Sequence, residues 1–161
     1  MEQGKVILNL LNERIENFTN LKDLLLRQQK ALVEADTSRI THFAEMQLTC
    51  LEKIQRTEKE WVALLNRVKA ERHLETLTTD HLVALDLDDH QSSLVFAYLD
   101  QVKKLVKEIE IIRHNNTLLI HNSLALVKST MEQLQYGPDA RAVYHPHRKS
   151  LSRHLLLNKK M

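Results

Sequence analysis

Residues 7–32 read ILNLLNERIENFTNLKDLLLRQQKAL. Apolar side chains return at Ile7, Leu11, Ile15, Phe18, Leu21, Leu25 and Leu32, in steps built from three and four residues. That is the repeat of one helix face, not the alternation of a strand. No glycine or proline interrupts the stretch, and none occurs anywhere between Lys5 and Tyr136. The two Gly stand at 4 and 137 and the two Pro at 138 and 146. A soluble chain of average composition holds about 7% Gly and about 5% Pro. Their absence excludes a P-loop and a dinucleotide-binding fingerprint, which need glycines for close backbone approach to phosphate. Sandwiches and barrels are excluded too, because their tight turns need the same residues.

Two further helical runs follow the first. Short polar residues at Ala35-Asp36-Thr37-Ser38 break the pattern and can cap a new helix. The second run is Ile40, Phe43, Cys50 with Leu51, Ile54, Trp61, Leu64 with Leu65, and Val68; it fades after Leu77-Thr78-Thr79-Asp80. Asp86 to Ser93 reads as a loop with N-cap choices in Asp89, Ser92 and Ser93, and a single helical turn fits between Asp80 and Leu87. The third run carries Val95, Tyr98 with Leu99, Val102, Leu105 with Val106, Ile109, Ile112, Leu119, Leu126 and Leu134. The expected fold is all-α: an antiparallel bundle of three long helices, about 3–35, 38–77 and 91–136, with coiled-coil-like packing. If the first two helices fold back near Asp36, facing residues have numbers that add to about 72. Phe18 then meets Ile54, Leu11 meets Trp61, and Leu21 meets Leu51. Arg14 falls opposite Glu58 on the apolar stripe, where the two are expected to pair and help set the register.

Composition agrees with narrow apolar seams: 43% of residues are hydrophobic, but only 4% are aromatic. The net charge of +2 is unevenly placed. Residues 137–161 hold Arg141, Arg148, Lys149, Arg153, Lys159 and Lys160 against Asp139 alone, which leaves 1–136 net acidic. The breakers Gly137, Pro138 and Pro146 fall in the same segment. The expected organisation is a helical bundle over 1–136 and a basic C-terminal tail over 137–161, flexible when unbound. No apolar run approaches the roughly 20 residues of a membrane span, and no secretory signal is expected at the start. A lone Cys50 fits a reducing compartment, so a cytoplasmic protein is expected.

Nothing in the chain reads as catalytic, and neither cofactor nor metal is expected. Asp86-Leu87-Asp88-Asp89 lacks the glycine and distal Glu of a calcium loop. His145, His147 and His154 lie in the tail without supporting residues, and His114 and His121 are about 10 Å apart along a helix. Cys50 sits on an apolar stripe, where packing is expected rather than reactivity. The basic tail has no folded groove, and the acidic bundle repels phosphate, so nucleic acid is not an expected partner.

The informative anomaly is in the third helix. Beyond Ile112 it runs Arg113-His114-Asn115-Asn116-Thr117-Leu118-Leu119-Ile120-His121-Asn122-Ser123-Leu124-Ala125-Leu126. Asn116, Ser123 and Thr130 take seam positions where large apolar residues are expected, while Leu118, Leu119, Leu124 and Leu126 form a band beside them. An under-filled seam with surplus Leu can accept a partner helix. The tail adds Tyr144, Leu151, Leu155, Leu156 and Leu157 among its basic residues, enough for a short amphipathic helix on contact with a partner.

A long helical hairpin and a third helix carrying His114-Asn115-x-x-Leu118-Leu119 and Asn122-x-x-Ala125-Leu126, then Tyr136-Gly137 and a basic tail, resembles the FlgN family of flagellar export chaperones. Gln28-Gln29-x-Ala31-Leu32 at the end of the first helix adds to the likeness. The resemblance implies a cytoplasmic chaperone, not an enzyme, that binds hook-filament junction proteins and keeps them competent for flagellar type III export. It implies contacts from Asn115, Leu118, Leu119, Asn122, Leu126, Leu134 and Tyr136 to a C-terminal helical segment of the client. The tail is expected to order on the client or to meet components of the export apparatus. The alternative is a self-associating helical scaffold or tether, and long helices with incomplete seams also fit a homodimer.

Overall fold

The computed structural model describes residues 2–73, 75–76 and 87–143. Among the described residues there are three helices: α1 (Glu2–Val33), α2 (Thr37–Glu71) and α3 (Asp89–Val143). The chain divides after Leu119 into two compact units. The first is an all-α bundle in which α1 packs against α2 and against the leading part of α3; the second contains the α3 residues from Ile120 on.

The turn between α1 and α2 is a helix stop and a helix start fused together. Asp36 N–H donates to the Ala31 carbonyl and Ala35 N–H to the Leu32 carbonyl, at 3.0 and 3.2 Å. This closes α1 with the paired bonds of a Schellman motif, with Ala35 in the left-handed position at φ 53°. Asp36 then caps α2, its Oδ1 accepting from Arg39 N at 3.0 Å. The Cβ of Ala35 is strained in that conformation and glycine is not. Ala35→Gly is therefore expected to stabilise the hairpin by about 1 kcal/mol, seen as a rise of about 2–4 °C in a thermal melt.

Antiparallel pairing of α1 and α2 follows the fold-back expectation in part. Leu11 and Trp61 share one buried cluster with Ile7, Leu10, Leu64, Val68 and Val95. Arg14 and Glu58 meet in a bidentate pair, Nε to Oε1 at 2.6 Å and Nη2 to Oε2 at 3.1 Å. Phe18, however, does not face Ile54. It packs with Ile15, Val102 and Leu105, because α1 serves two partners and this side of it belongs to α3. Leu51 is exposed, and Leu21 instead joins Leu24, Leu25, Phe43 and Cys50, with Ile54 against them. The true α2 seam is Phe43, Gln47, Cys50, Ile54, Thr57, Trp61, Leu64 and Val68, in regular steps of four and three. Thr57 is buried because its hydroxyl accepts from Asn17 Nδ2 at 3.0 Å and lies within reach of Glu13 Oε1 and the Lys53 carbonyl.

α1 and α3 run parallel. Lys22 Nζ reaches Glu108 at 2.5 Å, and Asn116 Nδ2 reaches the Leu25 carbonyl and Gln28, with partners 86, 91 and 88 residues apart in sequence. Gly4 sits where the two begin: a Cβ there would come within 2.5 Å of Leu87 and 2.9 Å of Gln91. The cap of α3 is Asp88, whose Oδ1 accepts from Gln91 N at 2.7 Å, rather than Asp89, Ser92 or Ser93. α2 stops at Glu71, with His73 in the left-handed region, and α3 continues past 136 to Val143. Gly137 and Pro138 thus lie within the helix, where the missing N–H of Pro138 leaves the Leu134 carbonyl without its usual donor. The expected single turn between Asp80 and Leu87 falls mostly, and the tail from Tyr144 on entirely, outside the described residues.

Candidate functional site

The sequence-predicted contact residues all sit on α3. In the first unit, Asn115 and Leu118 are exposed and Leu119 is half-buried. Asn116, between them, is turned inward, its amide bonded to α1 rather than to neighbouring Asn side chains. At its sequence offset of about 88 from α1, α3 runs out of α1 residues near position 121, because α1 ends at Val33. In the second unit every side chain described is exposed, including Asn122, Leu126 at 69% and Leu134 at 80%. The Tyr136 side chain lies outside the description.

Exposure alone would not make a site, but the pattern of what is exposed does. Ile120, Leu124, Val127, Met131 and Leu134 are separated by four, three, four and three residues, and all are exposed. That spacing keeps all five on one side of a helix and is the seam repeat of a two-stranded coiled coil. Of the five, Leu134 is among the contacts that the resemblance implies and Leu124 belongs to the expected apolar band; Ile120, Val127 and Met131 are in neither. The signal was in the sequence, as a 4-3-4-3 row of mixed aliphatic types, but a reading centred on Leu and on the Asn residues passes over it. Leu126 borders the row rather than belonging to it.

Few charged residue types interrupt the row: between Ile120 and Gln135 they are Lys128 and Glu132. The Thr130 hydroxyl is spent on the Leu126 carbonyl at 2.9 Å, one turn back, which leaves its methyl group as the outward feature. This surface can do no chemistry. It can bury aliphatic side chains of another helix, at about 1.5–3 kcal/mol for each residue fully covered.

Elsewhere the reactive side chains are accounted for by packing. The thiol of Cys50 is buried and bonded to the Asn17 carbonyl at 3.5 Å, and burial pushes its pKa up, with Lys53 opposing weakly. A raised pKa lowers the thiolate fraction at neutral pH, so slow alkylation of native protein by iodoacetamide is expected. Among the described residues no three His, Cys, Asp or Glu side chains gather as metal ligands. No helix among them is long and apolar enough to cross a membrane.

Residues 1–151 match the family model described as FlgN protein, nearly the whole chain. The chain belongs to the FlgN family. FlgN proteins are flagellar export chaperones, a family of binding proteins rather than enzymes, and their clients are flagellar export substrates. No curated protein and no solved structure matches the chain. An export chaperone needs a surface for its client rather than a catalytic group.

Proposed function

We propose that this chain is a cytoplasmic chaperone for hook-filament junction proteins, which it holds through their C-terminal helical segment until flagellar type III export. The observation that carries the reading is the exposed 4-3-4-3 row from Ile120 to Leu134 in a chain of the FlgN family. A client helix with the same spacing packs knobs into holes along that row. Leu119 and Leu126, on the neighbouring row, widen the apolar contact on one side; Asn115, Leu118 and Asn122 stand farther round α3, open to a client that wraps the helix, and Tyr136 lies at the far end. Association is coupled to helix stability. A lone helical stretch is marginal in water, and a partner along its apolar side stabilises it as it docks. The basic tail, net +5 over residues 137–161, is suited to acidic surfaces of the client or of export components.

Co-expression with candidate junction proteins tests the proposal. Full-length chain is expected to co-purify with a junction protein as a small complex of fixed stoichiometry, and failure of every candidate to co-purify removes the reading. The same 4-3-4-3 row is self-complementary in principle, which favours a second reading as a self-associating scaffold. Light scattering on the chain without client separates the two: a scaffold assembles alone and does not come apart when a junction protein is added.

A further inference from the structure

A polar layer crosses the bundle of the first unit. Asn116 is 3% exposed, and its Nδ2 donates to the Leu25 carbonyl at 2.9 Å and reaches Gln28 Oε1 at 3.4 Å. Its Oδ1 is buried without a partner, and so is Nε2 of Gln47 on α2. Gln47 stands on the α2 seam between Phe43 and Cys50. Those two pack with Leu24, Leu25 and Ala31, the α1 residues on either side of Gln28, and Ile112 of α3 lies against the same cluster. Each helix therefore brings one amide to one level of the core, at a distance from the bonded Asn17–Thr57 and Arg14–Glu58 pairs.

Such a layer has two physical consequences. Directional amide bonds accept one alignment of α3 on α1 and penalise a slipped one, as a seam Asn does in coiled coils. A donor and an acceptor that lose water and gain no partner also make the layer less cohesive than the apolar layers beside it. Local opening of a native protein follows its least cohesive contacts.

We propose that Gln28, Gln47 and Asn116 form a latch. Closed, it holds α3 at one register on the hairpin; as the weakest layer, it is where α3 opens first. Opening bares Ile109, Ile112 and Leu119, which are half-buried in the closed bundle, and adds them to the surface that receives the client. The docking part of this inference rests on the client-binding role proposed above; the latch itself is a property of the free chain.

Hydrogen exchange of the α3 amides 109–119 in the full chain tests it. Asn116→Leu removes the unpaired acceptor and is expected to slow exchange there about tenfold, with little change in α2. The closed chain already offers the exposed row, so junction-protein Kd should rise as exchange slows, by no more than the same factor. Gln47→Leu leaves the Asn116 bonds in place and should shift both measurements in the same direction, which keeps the test alive if Asn116→Leu folds poorly. Unchanged or faster exchange in both variants overturns the latch. Slowed exchange with unaltered Kd overturns its role in docking. A wild-type chain that binds no junction protein defeats the proposed function instead, and exchange still decides the latch.

Discussion

Substituting glutamate for Leu124 and Val127 together is expected to abolish capture of a junction protein while the chain unfolds at its usual temperature. Both side chains are already exposed, 61% and 55%, and neither belongs to a buried cluster of the bundle. Surface changes of this kind normally shift stability by no more than about 0.5 kcal/mol. In the complex the two positions are the centre of the 4-3-4-3 row, where a partner helix covers them most completely. Each lost aliphatic contact removes about 1.5–3 kcal/mol of burial, and a carboxylate pressed against an apolar partner adds a desolvation cost. A loss of at least about 100-fold in Kd follows, measurable by calorimetry or by pull-down at fixed client concentration. Leu126→Glu, one position off the row, should cost about tenfold or less by the same scale. Equal losses at Leu126 and at the Leu124/Val127 pair would place the contact on a broader surface than the row. A double variant that still captures client at wild-type strength would sink the row altogether.

How far the sequence could be read depends on what each inference needed. The three helices, the Asp36 cap and the Arg14–Glu58 pair were legible because each follows from local spacing or from one fold-back point. A hairpin has a single register variable, so its turn sets every facing pair along one seam. Phe18 escaped that rule because it faces a third element, whose placement depends on packing far away in sequence. Asp88 rather than its neighbours caps α3 for a similar reason: three acids and two serines compete there, and tertiary contacts of Leu87 choose the frame. At the candidate site, Asn116 stood out in the sequence as a misfit on an apolar seam. Its tie to Leu25 and Gln28 could not be foreseen without knowing the level at which α3 lies against α1. The row from Ile120 to Leu134 is the opposite case. Its spacing was fully present in the sequence, and the helical repeat hid it, since the same stretch also supports a neighbouring row through Leu119 and Leu126. Exposure does not separate the rows, since Leu126 at 69% is more open than every member of the row but Leu134; the unbroken succession of large aliphatic side chains does.

Arg14 and Glu58 offer the second large effect, on stability rather than binding. Arg14 is 12% exposed and Glu58 36%, their groups form two parallel bonds, and the guanidinium lies 4.8 Å over the Trp61 ring. A fully buried pair that loses one partner costs about 3–5 kcal/mol and an exposed one about 0–1. With one member largely buried and the other screened in part by water, Arg14→Ala should cost about 2 kcal/mol, some of it from the lost stacking on Trp61. A fall of about 4–8 °C in melting temperature follows for a chain of this size. Glu58→Ala should cost less, about 1 kcal/mol, because Arg14 keeps its ring contact and can turn its charge toward solvent. If the pair acts as a unit, the double variant will cost less than the two single losses combined, by about 1 kcal/mol of coupling. Leu at both positions should recover most of the stability, since apolar side chains often replace an ion pair without loss. What Leu cannot replace is direction: it packs nearly as well one step along the helix, whereas the bidentate pair forms only where residue 14 faces residue 58. A disulfide-trapping scan between α1 and α2 should therefore find one dominant alignment in the native chain and slipped alignments in the Leu pair. Simple additivity of the single losses, with one alignment throughout, would assign the register to the apolar side chains alone.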